Sequence, residues 1–422
     1  MERKILCLGV ILSCFYIFNQ SVIQAQTVKV DAEIRSRGEY RAGFQSPLAD
    51  TLSNAAVGLL RTRINLFYSS EKITAKITLQ DSRVYGQTGI NTTNNSLGLY
   101  EAYGSYHFTP YFSATIGRQL LEYDDKRILS ASNWSNTGNA HDLVLFKYQA
   151  KNGIEVHLGT AWSNASDVLH ESVYTVDKSY KMMNYIWASK GFGKTNISTL
   201  WLNDAFQQGE TPQMVKKLTY RNTIGANIEL KDKAIPYSFY LSGYYQFGHN
   251  TENASLRAYL LSLKNQYSIT DKWIATLGSD YFSGSEYDLV SGKDRTFNKL
   301  YGVNHSFNGA MEYWTTLPTQ GLWDLYGGLT FVATSKLNFE TMFHSFSVSK
   351  KLSSTSNKNI GSELDITVNY TISPEIAVQG GASVYFATKQ TDIIKQQGGV
   401  DTKFPYWGYL MLAFKPTFFV KE

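Results

Sequence analysis

The sequence predicts an all-β fold: a transmembrane antiparallel β-barrel of about 18 strands (16–18), with short periplasmic turns and long extracellular loops. Three observations predict it. Segments of about ten residues alternate polar and apolar along most of the chain. Aromatic residues reach 14%, with 29 Tyr, 23 Phe and 8 Trp, while charged residues are only 18% of 422. Beyond residue 26 no apolar stretch is long enough to cross a bilayer as a helix, which takes about 20 residues.

Taken in order, residues 1–25 read as a secretory signal peptide. Arg3 and Lys4 precede the apolar run "ILCLGVILSCFYIF", and "SVIQAQ" offers a cleavage point after Ala25. The alternatives are a membrane anchor, for which the run is short, and a lipoprotein box at Cys14, which "FYIF" follows where a polar tether belongs. Both cysteines, Cys7 and Cys14, fall in this segment. A chain cut after Ala25 has neither a disulfide framework nor a thiolate metal site. Residues 26–422 then form one barrel domain.

The first mature segment, "VDAEIRSRGEYRAGF", puts Asp31, Glu33, Arg35, Arg37, Glu39 and Arg41 on one face, against Val30, Ala32, Ile34 and Tyr40 on the other. "LRTRINLFY" sets Leu60, Ile64 and Leu66 against Arg61 and Arg63. "KITAKITLQ" sets Ile73, Ile77 and Leu79 against Lys76 and Thr78. "KLTYRNTIGANIEL" and "ELDITVNY" continue the pattern further along. Tight connectors occur at 69–72, 151–153, 191–195, 231–236, 269–272 and 372–375. Long polar ones occur at 86–96, 124–141, 164–178, 207–216, 284–305 and 389–404. "SFNGAMEYW" (306–314) would make the strand number odd, and is read as a loop folding into the lumen. In hydrocarbon every backbone polar group needs an internal partner, so strands span only as a closed barrel. Alternation then faces apolar side chains to lipid and polar ones to the lumen, and aromatics form interfacial girdles. A soluble two-sheet protein has no need for so many long strands with a wholly polar face.

Motifs for catalysis are weak. "ASKGFGKT" ends like a phosphate-binding loop, but Ala188 stands where the first Gly is required and no helix follows, so a hairpin turn is expected. His170 lacks a second His four residues on, and there is no Gly-x-Ser-x-Gly elbow. No catalytic residue, metal site or cofactor is expected. The formal charge of +5, without a basic run, gives no nucleic-acid signature. The lumen charges are more informative. Arg35, Arg37, Arg41, Arg61 and Arg63, joined by Lys76 and Arg221, form a cationic inner wall suited to concentrating anions. Glu33, Glu39, Glu101 and Asp31 interleave with them. Either the arginines line a substrate pathway, or they form a salt-bridge lattice that stiffens the barrel.

One stretch, "YEAYGSYHFTPYFSATIGRQLLEYDDKRILSASNWSNTGNAHD" (100–142), resembles the alginate-export family of outer-membrane channels. The resemblance rests on Glu101, on Gly117, Arg118 and Gln119, on Asp125 and Arg127, and on Trp134, Asn136 and Asp142. "LYGVNHSFNGAMEYW", with Asn304 and His305, followed by "GLWDLYGGL", looks like a later block of the same family. The resemblance implies an eighteen-stranded monomeric barrel with an electropositive constriction that passes an anionic uronate polymer without ATP hydrolysis. It adds Arg118 and Arg127 to the substrate pathway and Asp125 to its acidic partners. It implies loops able to occlude the ends, contact with outer-membrane lipid, and periplasmic export or scaffold partners. Asp124 stands where the family has Gly, and parity puts Arg118 with Ile116 on the outward face. The expected protein is a passive channel in the outer membrane of a Gram-negative bacterium, for an anionic polysaccharide, oligosaccharide or other carboxylate solute. The alternatives are an outer-membrane hydrolase, or a structural or adhesive barrel with a plugged lumen.

Overall fold

The computed structural model describes residues 26–421 apart from 91–95, 175, 177, 178, 210–216, 233 and 304. The expected signal segment, 1–25, lies outside the described residues. Eighteen antiparallel strands close into one barrel. They are β1 (Thr27–Ala42), β2 (Ala55–Ser69), β3 (Ile73–Val84), β4 (Gly98–Thr109), β5 (Phe112–Gln119), β6 (His141–Gln149), β7 (Ile154–Trp162), β8 (Met182–Phe192) and β9 (Thr195–Gln207). The second half has β10 (Leu218–Leu230), β11 (Tyr237–His249), β12 (Ser255–Ser268), β13 (Trp273–Phe282), β14 (Leu322–Thr334), β15 (Leu337–Ser347), β16 (Asn359–Ser373), β17 (Ile376–Phe386) and β18 (Tyr406–Phe414). After a break at Pro416, β18 resumes as Thr417–Lys421, and both parts pair with β1. That pairing, with Arg37 opposite Met411, closes the cylinder.

The alternation in the sequence is the alternation of faces. On β1, Arg35, Arg37 and Glu39 are buried while Ile34 and Tyr40 are exposed. Outward positions such as Ile64, Leu277 and Leu410 keep large apolar surface, as a lipid-facing wall requires. Aromatics gather at both rims. Phe108 stacks on Phe112 and Phe112 on Phe146 at the short-turn end, while Tyr40 stacks on Tyr406 at the other. The phosphate-loop look-alike is the β8–β9 hairpin turn, with Gly193 at φ +60°. One irregularity matters for the lumen. The register of β3 against β4 shifts so that Thr78 faces Glu101 and Leu79 faces Leu99. Tyr100 is the extra residue of this bulge, and Tyr100 and Glu101 are both buried.

The long connectors do not simply cap the barrel. Residues 120–140, 295–303 and 305–321 turn into it. Tyr301 pairs with Leu129 as an isolated parallel bridge. Ser130 N–H donates to Tyr301 O (3.1 Å), Tyr301 N–H to Ile128 O (3.1 Å) and Val303 N–H to Lys126 O (3.0 Å). Met311, Tyr313 and Trp314 are fully buried, so "SFNGAMEYW" is an inward loop, not a strand. The short helix α1 (Lys389–Ile394) sits in the last long connector.

Candidate functional site

The lumen is divided by the inward loops. On the long-loop side lies a vestibule of about 1110 Å³, bordered by Arg37, Glu39, Arg41, Trp134, His305 and Glu312 among others. On the short-turn side are two lobes of about 400 and 290 Å³ that share Lys264, Ser306 and Phe307. His305 borders both the vestibule and the smaller lobe, so it stands at the constriction.

The constriction is a stack. The His305 ring lies 3.7 Å from Trp134, almost parallel at 3°. The Arg37 guanidinium sits 4.1 Å from the same indole. Two groups that close to one ring must take opposite faces, so Trp134 is sandwiched. Trp407 and Tyr409 abut it edge-on, at 6.1 and 5.0 Å. His305 Nδ1 is 3.1 Å from Glu312 Oε1, and Gln45 Nε2 donates to Glu312 Oε2 at 2.8 Å. Burial would raise the Glu312 pKa, but the bonds from His305 and Gln45 hold it below the usual glutamate value.

The arginine ladder faces inward, and most of its donors hold the 120–140 loop. Arg35 donates to the carbonyls of Asn133 (2.5 Å), Trp134 (3.1 Å) and Ser135 (2.9 Å). Arg61 donates to Asn133 O and Ser135 O, both at 3.0 Å, and to Asn133 Oδ1 at 2.9 Å, while pairing with Glu33 at 2.5 Å. Arg63 donates to Asn133 Oδ1 (2.9 Å) and Gln80 (2.7 Å), beneath the ring of Tyr100. Arg37 bonds Glu39 (2.8 Å) and Trp134 O (2.9 Å), and Arg41 bonds Glu39 (2.9 Å). Lys76 pairs with Glu101 at 2.5 Å. Asn136 anchors the far end of the loop, donating to Leu60 O at 3.1 Å and accepting from Ser82 at 2.6 Å.

Arg127 is also committed. It grips Asp280 with two bonds, 2.8 and 2.9 Å, and Asp125 with a third at 2.5 Å, under the ring of Phe307. Burial opposes its charge, but Asp280 and Asp125 outweigh burial and raise its pKa. Burial pushes the Asp125 carboxyl up, offset in part by Arg127. Arg221 forks onto Asp204, which also accepts from Tyr301 at 2.7 Å. Asp124 adopts φ +54°, a left-handed conformation that Gly takes freely and Asp tolerates better than most residues. Its carboxylate ties this turn to β8 and β9 by accepting from Trp187 (3.1 Å) and Ser198 (2.5 Å).

One sequence expectation needs correction. Arg118 does not belong to the lumen wall. The register runs unbroken through Gly117, so Arg118 shares its face with the exposed Ile116. It pairs there with Asp142, directly opposite on β6, at 2.7 Å, and borders the vestibule only from the strand end. The inner wall also carries an acidic sector beyond the acidic residues that interleave with the arginines. Cations crowd β1–β3, but β13–β16 present Asp280, Asp324, Glu340, Glu363 and Asp365 to the interior. Met311 N–H donates to Glu363 at 2.7 Å and Ala310 N–H to Asp365 at 3.3 Å, so the second loop docks on this acidic wall. Asn304 lies outside the described residues.

Sequence reasoning missed the carbonyl acceptors, Asp204, Asp280 and Lys264. The last three were readable as polar-face residues of alternating strands, in "LNDAF", "GSDYF" and "LSLKNQ". Among the described residues no group of three or more His, Cys, Asp or Glu has a metal-holding arrangement.

The Alginate export family model matches residues 26–403. No curated protein matches the sequence. Solved structures with the same fold include Pseudomonas aeruginosa OccK11 (OpdR), with TM-score 0.62, 9% identity, and 93% of this chain and 96% of that one covered. Pseudomonas aeruginosa OpdL gives TM-score 0.64 at 10% identity, covering 93% and 99%. A BenF-like porin from Pseudomonas fluorescens Pf-5 gives 0.60 at 9%, covering 92% and 98%.

Proposed function

The chain belongs to the alginate export family and is a β-barrel channel of the Gram-negative outer membrane, and from that premise we propose that it passively passes an anionic polysaccharide, oligosaccharide or other carboxylate solute. The observation that carries the reading is the placement of Arg37 and Arg41 on the vestibule wall directly above the constriction. An anion entering from the loop side meets guanidinium groups in a space walled off from bulk water, where the attraction is stronger than in free solution. Passage requires no bond to be made or broken, so the side chains need only lower the barrier to entry. The acting unit in this reading is the monomer, with periplasmic export or scaffold proteins at its short-turn end.

Planar-bilayer recording tests the proposal. Anion-selective current, blocked by oligouronates and weakened by Arg37→Ala and Arg41→Ala, is the expected result. Arg118→Ala is expected to shift selectivity less than either, because that guanidinium is paired with Asp142 on the outer face and meets the vestibule at the strand end. Cation selectivity in the wild type sinks the anionic reading. A second reading, a plugged structural barrel, is favoured by the full burial of Met311, Tyr313 and Trp314 within the lumen. It predicts no current until the loops are loosened.

A further inference from the structure

We propose that Lys264, and not the arginine ladder, is the cation that meets the solute below the constriction and sets charge selectivity there. This rests on the channel reading above. The lumen arginines of β1 and β2 are engaged by loop carbonyls, by Asn133 or by carboxylates, and Arg127 and Arg221 are held by aspartates. Lys264 differs. Its register neighbours are Tyr240 on β11 and Gly278 on β13, so no carboxylate stands across from it. The nearest inward carboxylate on β13, Asp280, is already bonded by Arg127 and by Ser262 at 2.6 Å. Parity with the buried Ser262 points Lys264 inward, yet it is exposed, which at an inward position means open lumen. It has no hydrogen bond or ion pair among the described residues, and it borders both lobes below the constriction.

The other titratable groups bordering these lobes are Asp124, Asp125, Arg127, Glu229, Tyr240, Asp280, His305, Tyr326, Glu340, His344 and Asp365. Arg127 is neutralised by its two aspartates. Among the described residues, Lys264 is therefore the cation without a bonded partner in a chamber otherwise rich in carboxylates. A carboxylate, sulfate or phosphate group that has passed His305 finds one mobile ammonium to hold it, without which the acidic wall repels it. Lys147 is also inward and unpaired, but it borders none of the three cavities.

The test uses the full chain in planar bilayers under a KCl gradient, with reversal potential as the readout and sodium sulfate as the probe anion. Lys264→Ala is expected to lower the chloride-to-potassium permeability ratio roughly twofold or more. It also lowers sulfate permeation, while unitary conductance in symmetric salt changes little. Lys264→Arg is expected to restore the ratio. A conducting wild type whose ratio does not move in Lys264→Ala overturns the assignment to Lys264 and leaves the channel reading intact. A folded wild type that passes no current overturns the channel reading and this one with it.

Discussion

The arginine ladder makes a prediction whose size follows from its geometry. Arg35 makes three bonds to the carbonyls of residues 133, 134 and 135. Each of these carbonyls has a second donor: Arg61 for Asn133 and Ser135, and Arg37 for Trp134. Arg35→Met therefore leaves no carbonyl orphaned, and it relieves repulsion from Arg37 and Arg61. The net loss is about 1–3 kcal/mol, the order of one charge-assisted bond. Arg61→Met strips Glu33 of its partner and costs about 3–5 kcal/mol, as breaking a buried ion pair does. In the double variant Asn133 O and Ser135 O lose both donors. Each orphaned carbonyl adds about 1–3 kcal/mol, so the double loss exceeds the sum of the singles by about 2–6 kcal/mol. The assay is urea unfolding in lipid vesicles, with amide exchange at Asn139, whose N–H bonds Ala131 O within the loop at 2.7 Å. If the two substitutions add to within about 0.5 kcal/mol, the shared-acceptor argument is wrong.

Two further perturbations address the second loop. Gly309 has φ +87°, and a Cβ there would lie 2.5 Å from the Glu363 carboxylate. Gly309→Ala is expected to cost about 3 kcal/mol or more through backbone strain and the displaced Met311–Glu363 bond, and to raise open-channel conductance. Wild-type conductance in that variant would show that the apex does not block the lumen. Lys299 donates to Asn308 and to Trp314 O, and burial, with Arg127 adding to it, pushes its pKa down from 10.5 to about 7. Between those values the released loop binds a proton that the docked loop lacks. Docking therefore strengthens as pH rises from about 7 toward 10.5 and is flat below 7. Loop amide exchange against pH reads this directly. Lys299→Met should abolish the slope, and exchange that speeds up with pH beyond the intrinsic chemical rate in the wild type alone would contradict the sign.

The barrel was legible because one face of each strand carries its whole message. In β1, β2, β10 and β16 the period-two pattern alone says which side chains meet lipid, and Ile34, Ile64, Ile224 and Ile366 are exposed as it says, while Ala32 on the same face of β1 is buried. Parity even placed Arg118 outward, against the family resemblance that drew it into the pathway. What the pattern does not carry is who answers an inward charge. The acceptors of Arg35 are carbonyls 98 to 100 residues away, and the partner of Arg127 is 153 residues away. Carbonyls leave no trace in composition. A cationic face that docks backbone therefore reads the same as one that attracts solute. The acidic wall of β13–β16 was hidden for a related reason: its carboxylates are spread one or two per strand, and only closure gathers them.

The chemistry of the docked loop also explains why the charged face is built from arginine. A loop turned into a barrel presents carbonyl oxygens to the wall at several heights, and those that no loop N–H reaches can be answered by the strands' inward side chains. A guanidinium reaches three carbonyls at once from a planar fork that stays charged in a buried setting, and Arg35 does so. An ammonium has three donors but converges them on one point, and it loses its charge more readily when buried. The carboxylates on the same face are then needed as counter-charges, which is the arrangement of Glu33 with Arg61 and of Glu39 between Arg37 and Arg41. Arg35→Lys should on this argument behave like Arg35→Met in loop exchange, not like the wild type. Retained protection in the lysine variant would mean that charge alone, without the fork, holds the loop.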